Sequence, residues 1–75
     1  MLGYVDYSID VSFIKRLNYD FQDLCKETEE ADKNDNMGVF LEDSNAISVD
    51  AKVLCMNGGI SSQEWDLLER RYYNY

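Results

Sequence analysis

Apolar and polar residues alternate along the first part of the chain, between residues 3 and 13. The apolar positions are Val5, Tyr7, Ile9, Val11 and Phe13. Polar side chains occupy the positions between them, and a period of two is typical of a strand with one buried face. The segment therefore predicts a half-buried strand.

The period of the pattern changes after this segment, and apolar residues then recur at steps of three and four. These positions are Ile14, Leu17, Phe21, Leu24, Cys25 and Thr28. Such spacing places one apolar stripe along a helix, which we expect to run from residue 12 or 13 to about residue 31. The segment NDNMG, residues 34–38, is rich in residues that favour turns and marks the end of this helix.

The middle of the chain has two interpretations. The segment GVFLE, residues 38–42, is followed by DSNA and then by alternating apolar positions. Those positions are Ile47, Val49, Ala51 and Val53, set against Ser48, Asp50 and Lys52. This order predicts a β-hairpin. The alternative is a helix over residues 48–56, in which Ser48 is the N-cap and Gly58 ends the helix.

The last segment predicts a helix and completes the expected fold. Ser61 and Glu64 have the spacing of a capping box, and Trp65, Leu68 and Tyr72 follow on one helical face. We expect this helix to pack its aromatic side onto the sheet. The elements together predict a single α+β domain over residues 1–75, of order β-α-β-β-α, in which two helices pack on a short antiparallel sheet.

The net charge of −8, from fifteen acidic and seven basic residues, is concentrated in one segment. Residues 20 to 50 contain ten of the acids and only two of the bases. This excess argues against nucleic acid or an anionic membrane as the direct partner. Because the N-terminus lacks a signal-peptide pattern and no apolar run could span a membrane, we expect a cytoplasmic protein.

Residues for catalysis are scarce. The chain has no histidine, and its two cysteines, Cys25 and Cys55, do not form a C-x-x-C pair. We expect both to be buried, reduced thiols, although a disulfide between them is the alternative. No glycine-rich phosphate loop is present. We therefore expect a protein that is not an enzyme and that needs no cofactor.

Residues 32 to 43 are similar to the calcium-binding loop of an EF-hand. Asp32, Asn34 and Asn36 stand at the first, third and fifth positions. Met37 stands where the loop requires glycine, and Asp43 replaces the final glutamate. A predicted strand also follows in place of a helix. A solvated acidic turn is therefore favoured over a calcium site, and we expect no bound metal.

The predicted first helix carries a ribbon of carboxylates beside its apolar stripe. Asp20, Asp23, Glu27 and Glu30 are three or four residues apart, which is about 4.5 to 6 Å along the axis. One strand of a duplex presents a phosphate about every 3.4 Å, so the ribbon approximates a nucleic-acid backbone. The alternative is an acidic helix face that serves only solubility. The candidate partner-binding residues are Tyr19, Asp20, Asp23, Glu27, Glu30, Asp32, Asp35, Glu42 and Asp43.

In size, acidity and lack of catalytic residues, the chain resembles small phage-encoded inhibitors that mimic nucleic acid or block its binding, anti-CRISPR proteins among them. The resemblance rests on composition and assigns no residue roles. It implies a stoichiometric inhibitor that occupies a basic DNA-, guide-RNA- or PAM-reading site, for example in a CRISPR effector. An antitoxin or immunity protein that covers a nuclease would use the same mechanism.

The C-terminal segment suggests a different class of function. NGGISSQEWDLLERRY, residues 57–72, is similar to short bacterial helical-hairpin segments that serve oligomerisation. This pattern predicts a structural adaptor or a homodimer that uses its aromatic last helix. The end of the chain adds contact candidates at Arg70, Arg71, Tyr73 and Tyr75. Core packing of Tyr72 and a basic last turn that complements the helix dipole would explain the same residues.

Overall fold

The computed structural model describes residues 1–73 and is helical. A short 3₁₀ helix spans Ser12–Arg16, and three α-helices follow: α1 over Tyr19–Lys33, α2 over Met37–Met56 and α3 over Ser62–Tyr72. Since none of residues 1–73 lies in a strand, the predicted α+β fold with an antiparallel sheet is wrong.

The N-terminal segment is irregular where a strand was predicted. The carboxylate of Asp6 accepts a hydrogen bond from the backbone N–H of Ser8 at 3.0 Å, and Asp10 accepts one from Ser12 at 2.9 Å. Such turns bend the backbone locally and compete with an extended conformation. The polar residues of the alternating pattern therefore bend the chain, while Val5 and Val11 are still buried.

The predicted first helix is divided in two at Leu17 and Asn18. The side chain of Asn18 accepts a hydrogen bond from the backbone N–H of Phe21 at 2.8 Å and so caps α1. Leu17 before it is extended, with a ψ of 176°. The apolar stripe of α1 was predicted correctly at its centre, because Phe21, Cys25 and Thr28 are buried.

The helix α2 replaces the predicted β-hairpin. The side chain of Asn36 accepts from the backbone N–H of Val39 at 3.3 Å and caps its start. At its end Gly58 has a φ of +78°, a left-handed conformation that favours glycine. The alternative helix over residues 48–56 was closer to the structure, and Gly58 follows its end as expected. That helix begins at Met37, however, so Ser48 is not its cap.

The prediction of α3 and its capping box is confirmed. The Ser61 hydroxyl accepts from the backbone N–H of Glu64 at 3.1 Å, and the Glu64 carboxylate accepts from the backbone N–H of Ser61 at 2.9 Å. Leu68 and Tyr72 are buried as predicted. We expected them to pack on a sheet. They face a core of helices instead, in which α3 packs on α2.

The core lies where α2 packs against α1 on one side and α3 on the other. Its buried apolar residues are Val5, Val11, Phe21, Cys25, Ala31, Phe40, Ile47, Ala51, Ile60, Leu68 and Tyr72. Only residues 34–36 connect α1 to α2, which makes the two helices antiparallel neighbours. Among residues 1–73, no helix has both the length and the apolar character needed to cross a membrane.

Candidate acidic interface

The structure leaves most of the predicted partner-binding residues accessible. The exposed ones are Tyr19, Asp20, Asp23, Glu27, Glu30, Asp35 and Glu42. Asp43 is half-buried and Asp32 is buried. The four carboxylates predicted as a ribbon on the first helix are therefore all on the outside of α1.

Asp32 lies in the interior, so the structure does not place it on the acidic surface. Its side chain is 0% exposed. One carboxylate oxygen accepts a hydrogen bond from the backbone N–H of Tyr4 at 2.8 Å, and the other lies 3.5 Å from the hydroxyl of Tyr7. The backbone carbonyl of Asp32 also accepts from the N–H of Leu2 at 2.7 Å. These contacts attach the N-terminal segment to α1.

Asp35 is exposed but already has a cationic partner. Its carboxylate lies 2.7 Å from the N-terminal amino group. Asp35 also has a φ of +57° in the short connection between α1 and α2, a conformation that aspartate tolerates better than most residues. The turn explains why an aspartate stands at this position, and no binding role is needed to explain it.

The antiparallel packing of α1 and α2 brings carboxylates from the two helices together. Asp20 on α1 and Asp50 on α2 line one hollow of about 370 Å³, whose other walls include Phe21, Val53 and Leu54. Asp50 was absent from the predicted site, because its proximity to Asp20 requires α2 to be a helix. The predicted β-hairpin over this segment did not indicate that Asp50 lies near Asp20.

A second pair of carboxyl groups, Glu27 on α1 and Asp43 on α2, lies where the two helices pack together. Burial raises the pKa of Asp43, and the charge and hydrogen bond of Glu27 together with the charge of Glu42 raise it further. The Oδ2 atom of Asp43 is buried and has no hydrogen-bond partner within residues 1–73. The junction of α1 and α2 therefore brings carboxyl groups of both helices close enough to raise the pKa of one of them.

We call seven carboxylates of the two helices, six of them exposed and Asp43 half-buried, the acidic face. Its members are Asp20, Asp23, Glu27, Glu30, Glu42, Asp43 and Asp50. In the part of the chain that the structure describes, none of the seven forms a salt bridge, although carboxylates elsewhere do. Glu29 on the opposite side of α1, for example, pairs with Arg71 at 3.2 Å. Among residues 1–73, four of the eight acids outside this face form a salt bridge, and none of the seven on it does.

The stretch that is similar to an EF-hand loop forms different structure. Asp32 is buried, the Asn36 side chain caps α2, and residues 37–43 are helical. No group of three or more histidine, cysteine, aspartate or glutamate side chains among residues 1–73 is arranged to hold a metal ion. The acids of this stretch are accounted for by the turn and the two helices that it connects.

A larger hollow of about 690 Å³ lies between the N-terminal segment, α1 and α3. Arg71 spans one side of it, donating to the backbone carbonyl of Ile9 at 2.9 Å and pairing with Glu29. Burial raises the pKa of the Cys25 thiol to about 12, so this thiol stays protonated at neutral pH and is a poor nucleophile. Cys25 is buried as expected, whereas Cys55 is half-buried, and both thiols are free.

The residues proposed as contacts at the C-terminal end are engaged within the fold. The indole N–H of Trp65 donates to the hydroxyl of Tyr73 at 3.0 Å. Arg70 pairs with Asp66 at 3.1 Å, and Tyr72 is buried. Tyr75 lies outside the described residues. The aromatic side of α3 is thus used for packing.

The strongest candidate site is therefore the acidic face, with Tyr19 beside it at the start of α1. Tyr19 is 81% exposed, the largest exposure among the large hydrophobic residues that the structure describes. The face combines rigid helical support with carboxylates that form no salt bridge among residues 1–73. No protein-family model, curated protein or solved structure matches the chain.

Proposed function

We propose that the protein is a non-enzymatic inhibitor that binds the basic, nucleic-acid-binding groove of a host defence nuclease or another nucleic-acid-processing protein. The acidic face is its binding surface. The observation that carries the proposal is the set of seven carboxylates on α1 and α2, six of them exposed, without a salt bridge among residues 1–73. The resemblance to small phage-encoded inhibitors agrees with it.

The acidic face lowers the stability of the free protein. Like charges three or four residues apart destabilise a helix by a few tenths of a kcal/mol per pair. The pair formed by Glu27 and Asp43 adds repulsion between the helices. Lysine and arginine side chains from a partner would remove this repulsion on binding. The face is therefore better suited to a complex with a basic protein than to the free state.

The geometry also suits a groove that normally holds a nucleic-acid backbone. Asp20, Asp23, Glu27 and Glu30 extend along one side of α1, and Glu42, Asp43 and Asp50 widen the charged surface onto α2. Charge complementarity would accelerate association, and added salt would weaken it. Tyr19 adds a large, semi-rigid contact with a polar tip, of the kind that is enriched at binding hot spots.

A pull-down with the tagged chain tests the proposal. The acidic-face variant carries Asp23→Lys and Glu27→Lys, and the matched control carries Asp66→Lys and Glu69→Lys on α3, which changes the net charge equally. We expect the wild type and the control to capture the same basic nucleic-acid-processing protein at low salt. The acidic-face variant should lose it, and high salt should weaken capture by all forms.

A competition assay then tests inhibition directly. The purified partner is mixed with a labelled nucleic-acid ligand, and fluorescence anisotropy reports how much ligand the wild-type chain displaces. We expect stoichiometric displacement by the wild type and the α3 control, and none by the acidic-face variant. Equal capture by both charge-reversed variants, or capture without displacement, would contradict the proposal.

The predicted alternative, an adaptor or homodimer that uses the aromatic last helix, has less support. Leu68 and Tyr72 are buried, and Trp65 is hydrogen-bonded to Tyr73 within the same molecule. Leu68 and Tyr72 would have to leave the core to form an interface, and Trp65 would have to exchange its contact with Tyr73. Substitution of Trp65 should therefore affect stability more than any association.

A further inference from the structure

We infer that the partner contacts this protein through a basic amphipathic segment, which places apolar side chains on α2 and lysine or arginine side chains on the acidic face. The inference rests on the proposed function and specifies the chemistry of the partner. Three exposed apolar residues of α2, which we call the apolar strip, form the first part of the contact surface: Val49, Val53 and Met56. They are 53%, 50% and 75% exposed, and their spacing places them on one side of α2.

Neither the core nor the helix requires these residues. Ile47 and Ala51 on the opposite side of α2 are 0% exposed and make its contact with the core. Valine also has a lower helix propensity than the charged or amide residues that are typical of exposed helix positions. Single exposed apolar residues are ordinary, but a contiguous set beside a charged rim is typical of an interaction surface.

The apolar strip is continuous with the acidic face. Val53 lines the hollow of about 370 Å³ together with Phe21 and Leu54, and the carboxylates of Asp20 and Asp50 stand at the same hollow. Its walls are therefore partly apolar and partly anionic. A lysine or arginine side chain has the complementary construction, an apolar stem with a cationic end. The hollow fits one such side chain from the partner.

The distribution of charge around the strip gives the occupant an orientation. Carboxylates of both helices, Asp20 and Asp50, lie at the hollow where the strip meets α1, whereas Lys52 is exposed on α2 and does not line that hollow. An occupant would direct its basic side chains towards α1 and its apolar side chains towards the strip. A second copy of this chain fits poorly, because it would bring another net charge of −8 against the same carboxylates.

Two synthetic helical peptides of equal length and equal positive charge serve as probes. One places leucines and lysines on opposite helical faces, and the other replaces every leucine by serine. Fluorescence anisotropy with the full chain measures both affinities. We expect the amphipathic peptide to bind at least about tenfold more tightly, because burying apolar side chains adds to the electrostatic attraction.

Matched variants locate the contact on the protein. The first carries Val49→Gln and Val53→Gln, and the control carries Val49→Leu and Val53→Leu. Leucine and glutamine have similar helix propensities, and circular dichroism should show both variants folded. We expect the glutamine variant to bind the amphipathic peptide about five- to tenfold more weakly, the leucine variant to bind it at least as well as the wild type, and the serine peptide to bind all three equally.

The results separate this inference from the proposed function. Equal binding of the amphipathic peptide to the glutamine and leucine variants would overturn the inference. The proposed role of the acidic face would still hold if charge reversal at Asp23 and Glu27 abolishes capture of the partner. A change from dimer to monomer in the glutamine variant, measured by sedimentation, would also overturn it by identifying the strip as a self-interface. If charge reversal leaves capture unchanged, the proposed function itself fails.

Discussion

Replacing Asp32 by alanine should destabilise the protein strongly, although the residue belongs by sequence to the acidic segment. Its carboxylate accepts the N–H of Tyr4 at 2.8 Å in a fully buried position. A hydrogen bond to a charged group contributes about 1.5 to 3 kcal/mol, and the substitution also leaves a partly buried N–H without this partner. We expect a loss of about 2 to 3 kcal/mol, out of a total of roughly 4 to 11 kcal/mol for a domain of this size.

Urea denaturation followed by circular dichroism measures this loss. A change of about 2 to 3 kcal/mol lowers the melting temperature of a small domain by roughly 10 to 20 °C. Asp32→Asn keeps an acceptor oxygen and should cost only about 1 kcal/mol. The matched control is Asp23→Ala on the exposed side of α1, which should change stability by less than about 0.5 kcal/mol. Equal free energies of unfolding for Asp32→Ala and Asp23→Ala would refute the anchoring role of Asp32.

Four further predictions concern other parts of the molecule. Ser61→Ala should lower stability by about 1 kcal/mol in urea denaturation, because the α3 cap is lost; an unchanged midpoint would argue against the cap. Arg71→Lys should cost about 2 kcal/mol, because lysine cannot hold the Ile9 carbonyl and the Glu29 carboxylate together; full stability would show that these contacts are dispensable. Burial raises the pKa of Asp43 above its ordinary value of 3.8. Its carboxyl group therefore contributes fully to stability below pH 3.8, and this contribution is lost as the pH rises through the raised pKa. Asp43→Asn should therefore melt at a higher temperature than wild type at neutral pH, with the difference shrinking towards pH 3.8; a constant difference would contradict this. Lys52→Glu should strengthen partner capture at low salt, and weaker capture would contradict the assigned orientation.

The sequence predicts helix ends more reliably than it predicts strands in this chain. The capping box of Ser61 and Glu64 acts within one turn, so its signal does not depend on the rest of the fold. Asn18 carries the same kind of local signal as the cap of α1. It was missed because the apolar period continues across it. The alternating N-terminal segment was misread because its Asp and Ser residues form turns, and because a strand requires a partner that lies elsewhere in the sequence.

The incorrect prediction for α2 and the inferred docking surface have the same physical origin. Apolar residues at every second position from Ile47 to Val53 indicate a strand, since one face of a sheet would bury them all. In a helix the same spacing separates them into two pairs. Ile47 and Ala51 are buried, while Val49 and Val53 are half exposed on the opposite side. The exposed face of an amphipathic helix is typically polar. The two valines depart from this pattern, and the docking surface that we infer would bury them when a partner binds.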